Sequence, residues 1–120
     1  MAQTAQKSVQ IFGISKSQAT RAAERFFKER RVQIHFVDLT QKSMSPGEIK
    51  RFIDKFTLAA LIDREGKAFV DAGLQYMRIP DPEMLRKIEQ EPKLLKMPLI
   101  RCGNLLSIGH DEAAWKQMVA

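Results

Sequence analysis

The sequence predicts an α/β fold built on a central four-stranded mixed sheet, from three observations. Polar–apolar alternation with a period of two marks strands near each end of the chain. Apolar spacing of i, i+3, i+4 and i+7 marks helices between and after them. The order is β-α-β, then several helices, then β-β-α.

The first strand is Ser8-Val9-Gln10-Ile11-Phe12, followed by Gly13 and Ile14. From Gln18 to Arg31 the period lengthens. Ala19, Ala22, Ala23, Phe26 and Phe27 fall on one helical face, and Arg21, Arg25 and Lys28 lie off it. Ser15 or Ser17 can cap this helix, and Ser15 with Gln18 fits a capping box. Val32 to Leu39 alternates again and is the second strand. Two strands joined by a helix suggest a parallel βαβ unit with a right-handed crossover.

Ser45-Pro46-Gly47-Glu48 opens the next helix, with Ser45 as N-cap, Pro46 at its first position and Glu48 reaching back. Ile49, Phe52, Ile53 and Phe56 form its apolar stripe. Leu58 to Leu74 reads as mostly helical, broken at Gly66 and ended by Gly73. Asp81-Pro82 starts a helix through about Glu91, with Leu85 and Ile88 inward, and Pro92 stops it. Leu94 to Arg101 is expected as a strand, Cys102-Gly103-Asn104 as a turn, and Leu105 to Ile108 as the return strand of a hairpin. Gly109-His110-Asp111-Glu112 leads into a last helix that turns Ala114, Trp115 and Met118 inward. A parallel βαβ half joined to a ββα half is the layout of the thioredoxin-like fold. The helices at about 45–92 are then an insertion in a single domain of residues 1–120, and residues 1–8 a loose tail.

Composition bounds the function. Of 120 residues, 44% are hydrophobic, enough for a real core. No apolar run approaches the ~20 residues of a membrane helix. The N-terminus has no apolar secretory region, and one cysteine excludes an internal disulfide, so the cytoplasm is the default compartment. Two distant histidines with no ligand spacing argue against a metal site. The net charge of +6 permits an acidic or nucleic-acid partner. The basic residues, densest at Lys28, Arg30 and Arg31, are spread among acidic ones without exposed stacking aromatics, which argues against a nucleic-acid module.

Three segments carry a family resemblance: Ile11-Phe12-Gly13-Ile14 ahead of Ser17, the opening Ser45-Pro46-x-Glu48-Ile49, and IEQEPKLLKMPLIRCGNLLSIGHDEAAWKQM from Ile88 to Met118. With them the chain, from about Ile11 onward, resembles the arsenate reductase-like (ArsC) proteins of thioredoxin fold, which include the Spx-type transcription regulators. The resemblance implies a reactive cysteine at the N-terminus of the first helix, where the dipole and free N–H groups stabilise a thiolate. That thiolate attacks an oxyanion such as arsenate, or a disulfide, and glutathione or glutaredoxin restores it. An arginine before a cis proline helps to bind the anion.

This sequence departs at both positions. Ser17 occupies the cysteine position, and Met97 occupies the arginine position before Pro98. A serine cannot cycle through sulfenate or mixed-disulfide states. Losing the arginine removes a charge-assisted contact of ~1.5–3 kcal/mol. Arg64 is a candidate for a further basic residue of the family. Ser17 has three readings: an N-cap, a hydrogen-bond donor to an anion or thiol docked at the helix terminus, or a nucleophile, which needs an adjacent base. Lys16 can draw an anion there. Ser15, Lys16, Ser17, Gln18, Arg64, Met97 and Pro98 are therefore the candidate anion- or thiol-binding residues, with no confident catalytic residue. His35 and His110 read as a surface residue and a packing residue, and Cys102 as a turn residue carried away from Ser17.

The resulting expectation is an ArsC/Spx-like protein without reductase activity and without a resident cofactor, glutathione being the one cofactor an active form would use. It is expected to be a monomer that binds a protein partner in a regulatory role. The alternatives are a glutathione- or oxyanion-binding enzyme that uses Ser17 as hydrogen-bond donor, and a basic nucleic-acid-binding module.

Overall fold

The computed structural model of the chain describes residues 8–120. The tail expected at residues 1–8 lies outside the described residues, save Ser8, which opens the first strand. The elements are β1 (Ser8–Gly13), α1 (Gln18–Glu29), β2 (Gln33–Asp38), α2 (Pro46–Phe56), α3 (Leu58–Leu61), α4 (Lys67–Asp71), α5 (Asp81–Gln90), β3 (Leu99–Cys102), β4 (Leu105–Ile108) and α6 (Glu112–Met118). Single 3₁₀ turns occupy Leu74–Tyr76 and Pro92–Leu94. No helix among the described residues is long and apolar enough to cross a membrane.

The strands form one four-stranded sheet in the order β2-β1-β3-β4. β1 runs parallel to β2 and antiparallel to β3, and β3 runs antiparallel to β4. This is the mixed sheet expected from the βαβ and ββα halves.

The chain divides into two compact units. The first holds the chain through Lys42 and from Met97 onward, and therefore the whole sheet with α1 and α6. Its core gathers Val9 and Ile11 from β1, Ile100 from β3, Ala23, Phe26 and Phe27 from α1, and Trp115 and Met118 from α6. Val9 and Ile11 are two apart, so they share a sheet face, and Ile100 lies opposite Ile11 in register. The Phe26 and Phe27 rings meet edge to face at 5.1 Å, and Trp115 stands 5.5 Å from Phe26. Each such aromatic contributes about 1.5–3 kcal/mol by burial.

α1 ends in a Schellman motif. The Val32 N–H donates to the Phe27 carbonyl and the Arg31 N–H to the Lys28 carbonyl, both at 3.0 Å. Arg31 takes the left-handed position at φ 58°, where glycine is usual.

The second unit, Ser43–Lys96, holds α2 to α5. Its opening is the expected capping box. Ser45 Oγ accepts from the Glu48 N–H at 3.2 Å, and Glu48 Oε1 accepts from the Ser45 N–H at 2.9 Å. Ile49 and Phe52 are buried, while Ile53 and Phe56 are half-buried. Gly66 caps the start of α4, and Gly73 is left-handed at φ 69° before the 3₁₀ turn.

The structure departs from the expected course of the third strand at both of its ends. The strand expected at Leu94–Arg101 starts only at Leu99. Pro92 begins a 3₁₀ turn, and the buried Leu94 and Leu95 are held instead in the second unit. There the Leu94 carbonyl accepts from the Asp63 N–H, the Lys96 N–H donates to Leu61, and Leu95 bridges to Ile62. Cys102 belongs to β3 rather than to the turn. The loop is the pair Gly103-Asn104, with positive φ (61°) at Gly103, as in a type II′ hairpin.

Candidate functional site

The strand-to-helix connection between β1 and α1 is a tight turn. The Ser17 N–H donates to the Ile14 carbonyl at 3.0 Å, which folds Ser15 and Lys16 outward into solvent. Ser17 is the N-cap, in extended conformation at φ −72° and ψ 124°. Its Oγ accepts from the Thr20 N–H at 3.2 Å, and its carbonyl accepts from Arg21 N–H at 3.0 Å. The capping box expected from Ser15 and Gln18 does not form. The turn closes on Ser17, so Gln18 is the first helical residue rather than the third.

This arrangement leaves the Gln18 and Ala19 N–H groups without a partner among the described residues. Such orphan donors, at the positive end of the helix dipole, are suited to an anion or a carbonyl oxygen. No acidic residue stands in the first turn to occupy them. Lys16 is exposed beside the turn, and its carbonyl accepts a hydrogen bond from Arg21 Nη2 at 3.3 Å.

The turn rests on a close approach that periodicity alone did not single out. Thr20, in the first turn of α1, is fully buried against the end of β1. A Cβ placed on Gly13 would lie 2.6 Å from Thr20 Oγ1 and 2.9 Å from its Cγ2. Gly13 is therefore the residue that lets strand and helix meet. Thr20 Oγ1 is buried without a hydrogen-bond partner.

The Met97–Pro98 peptide bond is cis. Pro98 is buried, and its carbonyl accepts from the Gly109 N–H at 3.0 Å. Phe12 pairs with Leu99 in the antiparallel β1–β3 register. That register carries Pro98 to the level of Gly13, the end of β1 from which the Ser17 turn departs. Ser15, Lys16, Ser17, Gln18, Met97 and Pro98 thus belong to one end of one sheet. Arg64 lies in the second unit, exposed, with its guanidinium 5.7 Å from the Phe69 ring centroid.

Among the described residues no histidine or carboxylate hydrogen-bonds the Ser17 hydroxyl. Cys102 sits beyond the Arg101–Gln10 rung, toward the opposite end of the sheet, with Sγ 3.6 Å from the Met118 carbonyl. His110 packs its ring 4.9 Å from that of Trp115. His35 is exposed on β2. No group of three or more His, Cys, Asp and Glu among the described residues could hold a metal ion.

Comparison with known proteins agrees with this architecture. The chain is 24% identical over 115 residues to the global transcriptional regulator Spx 2 of Oceanobacillus iheyensis, covering 93% of this chain and 84% of the relative. Among solved structures it superposes on the YffB protein with a TM-score of 0.82 at 17% identity, covering 93% of this chain and 99% of the other. It matches an arsenate reductase from Vibrio cholerae with a TM-score of 0.74 at 17% identity, covering 94% and 96%. At these identities the structural likeness is one of fold, and the fold is the thioredoxin-like fold of arsenate reductase relatives. The ArsC family model matches residues 12–118, and the chain belongs to the ArsC family.

Proposed function

We propose that this chain is a binding member of the ArsC family that has lost reductase chemistry and acts through a protein partner, in a regulatory role. The observation that carries this reading is Ser17. It stands where the family resemblance places the reactive thiolate, and its hydroxyl serves as the acceptor that caps α1. Met97 stands before the cis proline where the resemblance places the anion-binding arginine. A relative named as a global transcriptional regulator supports a regulatory role over a metabolic one.

The test is affinity capture with the purified full chain as bait, run with and without nuclease. A stoichiometric protein retained after nuclease treatment, and lost to competition by untagged chain, is expected. Retention of nothing but nuclease-sensitive material would overturn the reading in favour of a basic nucleic-acid module.

A second reading is favoured by the free Gln18 and Ala19 N–H groups. They suit a pocket for glutathione or a small oxyanion, with Ser17 as a further donor. Calorimetry with glutathione, arsenate and sulfate tests it, and absence of heat at millimolar ligand removes it.

A further inference from the structure

A second group of polar side chains lies away from the Ser17 turn. β1 pairs with β2 and β3 so that Gln10 stands opposite His35 on one side and Arg101 on the other. Residues opposite one another in register project from the same sheet face, so His35, Gln10 and Arg101 form one row across three strands. The row lines an open pocket of about 290 Å³, completed by Ser8, Val9 and Gly103.

Three features make this row more than a solvated surface. First, Arg101 is oriented. Its Nε donates to the Gly103 carbonyl at 3.0 Å, which directs the guanidinium while leaving its two terminal nitrogens without partners among the described residues. Second, among the described residues neither a carboxylate nor any other anion-forming side chain lines the pocket. Arg101 also has no ion pair among the described residues. Third, Gln10 sits half-buried on the central strand, with no side-chain partner among the described residues. The next rung on the same face is apolar, Phe12 beside Val37 and Leu99, so the polar row is bounded.

We propose that this row is a binding site for a phosphate group. Two sheet spacings separate the His35 and Arg101 backbones by roughly 10 Å. Both side chains are long enough to reach inward over Gln10. The guanidinium offers a bidentate fork. The Gln10 amide, the His35 ring N–H and the Ser8 hydroxyl add donors from other directions. A carboxylate has two oxygens in one plane, whereas a phosphate presents oxygens on several sides and matches donors that arrive from three strands. The phosphate is either inorganic phosphate or a small phosphomonoester. The site is independent of any ligand at the Ser17 turn, which lies beyond the other end of β1.

The test is an amide NMR titration of the full chain at fixed pH and ionic strength, with inorganic phosphate, phenyl phosphate and chloride as separate arms. Saturable shifts at Gln10, His35, Arg101 and Gly103 are expected with phosphate or its ester, and none with chloride. Tighter binding of the ester identifies a phosphomonoester as the source, and equal binding identifies the free ion. Arg101→Leu and His35→Gln should each weaken the dissociation constant at least fivefold while the rest of the spectrum stays folded. Shifts confined to Gln18 and Ala19, or shifts that chloride reproduces, would overturn the proposal. So would affinity unchanged in both variants.

Discussion

Ser17 and Thr20 close the first turn of α1, the Thr20 N–H donating to Ser17 Oγ at 3.2 Å. The hydroxyl thus supports the helix at the point where the family resemblance expects a thiolate. Ser17→Ala should cost about 1 kcal/mol of stability by loss of the cap, measured by urea denaturation. Ser17→Cys, made in a Cys102→Ser background, should yield a thiol with pKa below the ordinary value of ~8.5, because the dipole and the free N–H groups favour the anion. Thiolate absorbance against pH reads this directly. An ordinary or raised pKa would mean that the turn no longer acts as an anion-stabilising site.

Gly13 and Thr20 should be coupled. Gly13→Ala drives a Cβ to 2.6 Å from Thr20 Oγ1, an overpacking expected to cost about 1–3 kcal/mol. Thr20→Ala removes both clashing atoms, so the double variant should lose less than the sum of the two single ones. Denaturant midpoints of the four proteins test it, and strict additivity would contradict the close approach.

Arg31 holds the left-handed position of the α1 Schellman motif at φ 58°. A side chain there costs roughly 1–2 kcal/mol that glycine avoids. Arg31→Gly is therefore expected to raise the denaturation midpoint, the gain being reduced by glycine's larger chain entropy when unfolded. A lower midpoint would show that the Arg31 side chain contributes more than its backbone strain costs.

Asp38 has a pH signature. Its Oδ1 accepts from Thr40 Oγ1 at 2.7 Å and from the Thr40 N–H at 2.9 Å. The hydroxyl bond, then the backbone bond, hold its pKa below the ordinary carboxylate value. The folded value is the depressed one. The contribution to stability is therefore full above the unfolded-chain pKa and is lost as pH falls through the folded pKa. Carboxyl NMR titration should find Asp38 below the ordinary aspartate value, and Thr40→Ala should move it back up. An unshifted Asp38 would contradict this geometry.

Much of the fold was legible because local signals and tertiary structure agreed. Ser45, Pro46 and Glu48 form the capping box that their spacing announces, and Phe26, Phe27 and Trp115 pack as their periodicity implies. Leu94 and Leu95 misled because a short apolar run is the same whether it enters a ladder or fills a core. Their partners, Leu61 to Asp63, are distant in sequence. The Ser17 end of the candidate site was legible as a strand-to-helix turn. Choosing Ser17 over Ser15 as cap was not, since both fit the pattern and only the Ser17–Ile14 bond decides. The Gln10, His35 and Arg101 row was invisible as a group because strand register, not spacing, brings it together.

The most direct test of the central claim is glutathione-coupled arsenate reductase turnover, measured on the purified chain beside Ser17→Ala. The account predicts no turnover above buffer for either protein. Turnover by the natural chain that Ser17→Ala abolishes would contradict it.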